Sequence, residues 1–216
     1  MKDTIIIFDL DGTLIDTNTL IQRSFEYVFK KHKPDYTLSE TELLSFLGPP
    51  LKTTLGKYFE ASLIDELVDC YNEHNLTSHQ EYVTVYPYVY ETLQKLKDEG
   101  YPLAIFTTKS YNAAMVGIQL FDLEKYFDVI VAGDQVARVK PDPLGIEMIM
   151  DKTNMKYAVM VGDSTSDIMS GKNAGVYTIG VDWSPKGSQS LEALHPDLMI
   201  SRMDEIIEFV RGLKSC

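Results

Sequence analysis

This chain has few cysteines, fewer basic than acidic residues and no long apolar run, and each shortage removes a class of protein. Two cysteines in 216 residues, Cys70 and Cys216, show no paired spacing. That excludes a disulfide framework or a cysteine zinc site and fits a reducing cytosol. Lysine and arginine number 20 against 32 acidic residues, for a net charge of -12. Such a surface repels nucleic acid and anionic membrane, so neither is expected as a partner. An anionic substrate has to be met by a local cation. The apolar run near the N-terminus stops at Asp9, too soon for a signal peptide or a bilayer span, and no other stretch is long enough either. A cytoplasmic location is therefore expected. Internal repeats and low-complexity tracts are missing too, and the four histidines, His32, His74, His79 and His195, fall outside every motif.

What remains is a chain long enough to bury one full core with a smaller insertion. In the second half, short β-rich runs alternate with amphipathic helical patterns, as in a parallel sheet covered by helices. Strands are predicted over 102–107, 128–131, 158–162, 176–181 and 198–201, and helices over 88–99, 111–120, 143–152, 166–173 and 203–212. Gly100 and Gly175 stand where a left-handed residue would close two of these helices. From Asp16 to Tyr82 the pattern is helical throughout. Leu20, Ile21, Phe25, Val28 and Phe29 recur at helical spacing, as do Leu63, Ile64, Leu67, Val68 and Tyr71. A stretch that long is no ordinary connection. The expected organisation is an α/β core of 1–15 and 83–216 with an inserted α-helical domain over 16–82; the alternative is that these helices pack on one sheet face.

The first strand, Ile5-Ile6-Ile7-Phe8, runs into Asp9-Leu10-Asp11-Gly12-Thr13. On an extended backbone Asp9 and Asp11 project to the same side. Two carboxylates that close repel unless a cation intervenes, which points to a hard metal such as Mg2+. Gly12 permits a sharp turn. A calcium loop is set aside, because Gly12 comes too early and no third ligand follows at the required spacing. A core strand ending in a solvated acidic turn is the alternative.

Ligands of open parallel sheets bind beyond the carboxyl ends of the strands. That rule gathers Asp9 and Asp11 with Thr107-Thr108-Lys109 after one strand, Asp163 and Asp167 after another, and Lys140 in the turn Lys140-Pro141-Asp142-Pro143. Each alone has a plain structural reading, as a helix cap, a helix-start acid or a solvated turn lysine. Together they supply a nucleophile, metal carboxylates, a hydroxyl with backbone N–H groups for phosphate oxygens, and a cation.

In these four motifs and their order the chain resembles the haloacid dehalogenase (HAD) superfamily of aspartate-nucleophile phosphohydrolases, nearly end to end. The resemblance implies a Rossmann-like three-layer core with a parallel sheet and an inserted small α-helical cap. It implies that Asp9 attacks phosphorus to form an aspartyl-phosphate, that Asp11 protonates the leaving oxygen and later activates water, and that Thr13 orients Asp11. Thr107 would bind the phosphoryl group, and Lys140 would hold both that group and the nucleophile. Asp9, Asp163 and the Asp11 carbonyl would ligate Mg2+, with Asp167 as a further ligand or a support. Gly12, Thr107, Thr108 and Lys109 would line the substrate, with Gly48 of the cap loop 45–51, where Pro49 and Pro50 stiffen a break in the helical periodicity. Lys52 and Lys186 are further cations available to a small dianionic substrate.

More local wording is similar to the phosphoglycolate-phosphatase-like branch, and within it to bacterial pyrophosphatases. It lies in Leu14-Ile15-Asp16-Thr17-Asn18, the loop 46–51, Thr107-Thr108-Lys109, Lys140-Pro141-Asp142-Pro143, Gly171-Lys172-Asn173-Ala174-Gly175 and residues 183–187. Thr108 stands where phosphoglycolate phosphatases often have asparagine. The expected partner is a small phosphorylated molecule or pyrophosphate. The oligomeric state is left open, and a monomer is compatible with it. Competing readings are a β-phosphoglucomutase-like phosphotransferase, a dehalogenase without metal, and a phospho-acceptor binding module.

Overall fold

The computed structural model describes residues 3–213, so Cys216 lies outside the described residues. The chain begins with β1 (Thr4–Phe8) and leaves it through β2 (Ile15–Asp16). It then passes through α1 (Asn18–His32), α2 (Glu40–Ser45), α3 (Leu51–Leu55), α4 (Ile64–Thr77) and α5 (His79–Tyr82). It returns through β3 (Thr84–Val85), the partner of β2 in a two-stranded sheet. The remainder runs α6 (Val89–Asp98), β4 (Leu103–Phe106), α7 (Tyr111–Leu120), β5 (Val129–Val131), α8 (Leu144–Thr153) and β6 (Tyr157–Gly162). It ends with α9 (Thr165–Asn173), β7 (Tyr177–Val181), α10 (Gln189–Glu192), β8 (Leu198–Ile200) and α11 (Glu205–Gly212). Within the described residues two compact units result, one of residues 3–15 with 85–213 and one of Asp16–Thr84.

In the first unit six strands form a parallel sheet in the order β5-β4-β1-β6-β7-β8, flanked by helices in a Rossmann-type fold. β1 lies at its centre because Ile5, Ile6, Ile7 and Phe8 are all fully buried, as a strand covered on both faces requires. Ile5, Ile7, Ala104, Phe106, Ala158 and Met160 pack together under Ile146 and Ile149 of α8. From β1 the chain steps outward to β4 and β5, then crosses back to β6 on the other side of β1 and continues to β8. That reversal opens the crevice in which α/β sheets bind ligands. Here it falls between the carboxyl ends of β1 and β6, where Phe8 is level with Val161 and the Asp9 N–H donates to the Val161 carbonyl at 2.9 Å.

The second unit is closed by its own apolar cluster, including Phe25, Phe29, Phe46, Leu55, Leu67 and Tyr71, which accounts for the helical spacing of these residues. Cys70 is a buried free thiol of the same cluster. α2 starts on a capping box between Ser39 and Glu42. The Glu42 carboxylate also accepts from the Tyr36 and Tyr58 hydroxyls at 2.5 and 3.1 Å. The Tyr36 bond above all, with the Ser39 N–H and hydroxyl, lowers Glu42 to about 2.

Predicted and observed elements differ mainly at their ends. The helix predicted from Met203 begins at Glu205, and Pro143 precedes α8 as its cap. Gly100 and Gly175 adopt φ of +80° and +69° just past α6 and α9, as a left-handed close requires. β2, β3 and α10 have no counterpart among the predicted elements, because stretches of two to four residues carry no measurable periodicity. Among the described residues no helix is long and apolar enough to cross a membrane.

Candidate active site

Beyond β1 the backbone curls over at once. The Leu10 carbonyl accepts from the Thr13, Leu14 and Ile15 N–H groups at 3.4, 3.0 and 3.1 Å, and the Gly12 N–H donates to the Ile15 carbonyl at 2.8 Å. Gly12 sits at φ +86°, and a Cβ there would lie 2.5 Å from an Asp163 carboxylate oxygen. Glycine is therefore needed twice, for the turn and for the close approach of the carboxylate that follows β6. Trp183, just after β7, donates its indole N–H to the Gly12 carbonyl at 3.0 Å, and its ring meets Tyr86 at 5.6 Å.

This turn sends the two carboxylates of the first motif to different partners. Asp9 accepts from the Lys140 ammonium at 2.6 Å, whereas Asp11 accepts from the Lys109 ammonium at 3.0 Å. The acidic neighbours of Asp9 are Asp163 and Asp167, and one carboxylate oxygen from each of the three lies within 4.8 Å of the others. The Asp11 carboxylate is outside that group. The extended-backbone picture of Asp9 and Asp11 thus ends at Asp9, where the strand ladder stops and the chain folds back onto the Leu10 carbonyl. Thr13 also departs from its implied role. Its hydroxyl is buried without a hydrogen-bond partner among the described residues, so it does not hold Asp11; Lys109 does.

Lys140, whose side chain is 2% exposed, reaches in from the turn before α8. Its ammonium donates to Asp9 and Asp167, both at 2.6 Å, and to the Phe106 carbonyl at 2.9 Å, which uses all three of its protons. Asp167 is equally committed. Its other oxygen accepts from the Ser164 N–H at 3.0 Å and the Ser164 hydroxyl at 2.6 Å, the capping box that starts α9.

Asp9 and Asp167 share the Lys140 ammonium and Asp163 lies beside them, so carboxylates outnumber the buried cation, and burial first, then this crowding, shifts their titration. Burial pushes Asp9 well above the usual carboxylate range; Lys140 opposes the shift, and Asp167 and Asp163 add to it. Burial, then Asp167, pushes Asp163 up to about 7. Burial disfavours the Lys140 charge, but Asp167 and Asp9 outweigh it and hold the lysine above its ordinary range. An all-oxygen donor set of three close carboxylates suits a hard divalent cation, and Mg2+ fits it.

The loop after β4 supplies the opposite wall. Thr107 is buried and its N–H donates to the Val131 carbonyl at 3.1 Å, while its hydroxyl accepts from the Lys109 N–H at 3.2 Å. The Lys109 carbonyl accepts from the Gly133 N–H at 2.8 Å. A Cβ on Gly133 would lie 2.3 Å from the Thr108 carbonyl, so this glycine lets the loops after β4 and β5 abut. Sequence reasoning missed Gly133 and the clamp by Trp183. The available signal was positional, since Ala132-Gly133-Asp134 and Asp182-Trp183 each follow a strand at this edge.

The core unit therefore assembles Asp9, Asp11, Gly12, Thr107, Lys109, Lys140, Asp163 and Asp167. Thr108 is exposed beside them. Lys186 is exposed, and its charge acts on Asp163. Gly48 and Lys52 belong to the helical unit. Gly48 takes φ +102° between α2 and α3, and Lys52 pairs with Asp65 at 2.8 Å.

The sequence profile of a family described as haloacid dehalogenase-like hydrolase matches residues 6–181. Pyrophosphatase PpaX of Listeria monocytogenes serotype 4b is 40% identical over 212 residues, 97% of each chain. Pyrophosphatase PpaX of Bacillus cereus strain Q1 is 41% identical over 215 residues, 99% of each chain. Among solved structures, a haloacid dehalogenase-like family hydrolase from Streptococcus pneumoniae superposes with a TM-score of 0.85 at 24% identity, covering 95% of this chain and 97% of that one. That last likeness is one of fold.

Proposed function

This chain belongs to the haloacid dehalogenase-like hydrolase family and is an enzyme of its phosphatase kind, and we propose that it is a Mg2+-dependent phosphohydrolase acting through an aspartyl-phosphate on Asp9. Inorganic pyrophosphate is the favoured substrate and phosphoglycolate the next. The observation that carries the reading is the setting of Asp9, a carboxylate at a strand end, 2.6 Å from a buried ammonium and grouped with the Asp163 and Asp167 carboxylates. The choice of pyrophosphate rests on relatives of that name matching 97% or more of the chain.

Asp9 attacks phosphorus, and the covalent intermediate divides one hard displacement into two easier ones. Lys140 orients the nucleophile and offsets charge as the phosphoryl group arrives, itself held by Asp167. Asp9, Asp163 and the Asp11 carbonyl would hold Mg2+, which when bound would supply the charge that lets two anions meet. The Thr107 hydroxyl and the N–H groups of its loop receive phosphoryl oxygens. Asp11 hands a proton to the leaving oxygen and later takes one from water. The helical unit is the counterpart of the family's small α-helical cap. The enzyme works in the cytoplasm.

The test is phosphate release from pyrophosphate, phosphoglycolate and sugar phosphates. Many turnovers per molecule, abolished by chelator and by Asp9→Asn, with a rapidly hydrolysed acid-stable phosphoenzyme in the wild type only, are the expected results. Turnover surviving chelator or Asp9→Asn removes the mechanism. Hydrolysis of phosphoglycolate or a sugar phosphate but not pyrophosphate removes the substrate assignment.

A further inference from the structure

The site holds two lysines with different duties. Lys140 is spent on the nucleophile side, its three protons given to Asp9, Asp167 and the Phe106 carbonyl. Lys109 instead faces Asp11, 3.0 Å from its carboxylate, and the two side chains are only 16% and 21% exposed. The backbone of Lys109 is pinned at both ends, by its N–H to the Thr107 hydroxyl and by its carbonyl to the Gly133 N–H. The ammonium is thus aimed from a fixed base and is poorly screened by solvent.

Resting on the phosphohydrolase reading above, in which Asp11 serves the leaving oxygen, we propose that Lys109 is a specificity-determining residue that selects substrates whose leaving portion carries negative charge of its own. An ammonium beside the group that attends the leaving oxygen stands where the rest of the substrate emerges. The second phosphate of pyrophosphate and the carboxylate of phosphoglycolate both meet it there as charge-assisted hydrogen-bond acceptors. A leaving portion without charge gains little from Lys109, because it competes poorly with the Asp11 carboxylate for the ammonium. The selectivity lies on the wall made by the loop after β4, separate from the metal group that captures the transferred phosphoryl.

The experiment compares wild type, Lys109→Met and Lys109→Arg on four substrates. Pyrophosphate and phosphoglycolate have charged leaving portions, whereas ethyl phosphate and phenyl phosphate do not. The expected loss in kcat/KM for Lys109→Met is at least about tenfold greater on the charged pair than on the uncharged pair, as for a lost hydrogen bond to a charged group. That loss falls mainly on KM, and Lys109→Arg recovers part of it. An equal loss on all four substrates, with kcat falling and KM unchanged, overturns the proposal and leaves Lys109 as a support for Asp11. Wild-type turnover that persists in Asp9→Asn overturns the underlying reading and this proposal with it, so the two failures are distinguishable.

Discussion

Replacing Lys140 by methionine removes the cation that, among the described residues, is buried in the acidic group, while keeping most of its volume. The Lys140, Asp9 and Asp167 side chains are 2%, 10% and 1% exposed, so solvent cannot take over the role of the ammonium. Breaking a buried ion pair by deleting one partner costs about 3–5 kcal/mol, most of it the penalty of leaving the other charge uncompensated. At about 2–4 °C per kcal/mol for a chain of this size, the metal-free variant should melt about 6–20 °C below wild type. Differential scanning calorimetry in chelator at pH 8 measures this. The sign of the pH dependence follows from Asp9, which burial already pushes up. A carboxylate raised in the folded state favours folding most below its unfolded value and loses that contribution as pH rises through its folded value. Without Lys140 the rise is larger, so the deficit of the variant should grow from pH 5 to pH 8. Mg2+ should restore part of the melting temperature, because it supplies the missing positive charge. A Lys140→Met protein that melts within about 2 °C of wild type at pH 8 in chelator would refute the account, since no buried charge imbalance of this kind could be so cheap.

Because Asp163 is pushed up to about 7 by burial and Asp167, protons compete with the metal below that pH. Mg2+ affinity should fall about tenfold per pH unit below 7, with proton release on binding, and calorimetric titration showing equal affinity at pH 6 and pH 8 would count against this. Gly12→Ala places a Cβ 2.5 Å from the Asp163 carboxylate at φ +86°. It should cost about 1–3 kcal/mol and weaken Mg2+ binding, read through the fluorescence of the single tryptophan, Trp183, whose indole N–H donates to the Gly12 carbonyl. In the helical unit, Glu42 is lowered from 4.5 to about 2, chiefly by the Tyr36 hydroxyl, so its contribution to stability is present above its unfolded pKa and is lost as pH falls through the interval between those values. Glu42→Gln should flatten acid unfolding there, and an unchanged acid limb in circular dichroism would contradict that.

Much of the core was readable before folding because its signals are local. Ile5 to Phe8 followed by acids can only be a buried strand breaking off at an edge, and the alternation after Val85 spells a parallel sheet with crossover helices. The helical spacing of Phe25, Val28 and Phe29 marked a buried face, but what it packs against, a cluster with Phe46, Leu55 and Leu67, came only from the structure. The elements that escaped were those too short for a period to repeat, β2, β3 and α10.

The candidate site divides along the same line. Residue type and place along the chain determined that carboxylates, a hydroxyl and lysines would share one sheet edge, since strand direction alone brings strand ends together. Only the tertiary structure decided who pairs with whom. Asp9 goes to Lys140 and Asp11 to Lys109 because the chain reverses at Gly12, a reversal braced by Trp183 from 171 residues away. Asp167 completes the Lys140 pocket rather than standing free, because the capping box of α9 turns it inward. Such pairings depend on angstrom-scale distances between segments far apart in the chain, and no local pattern of residues encodes them.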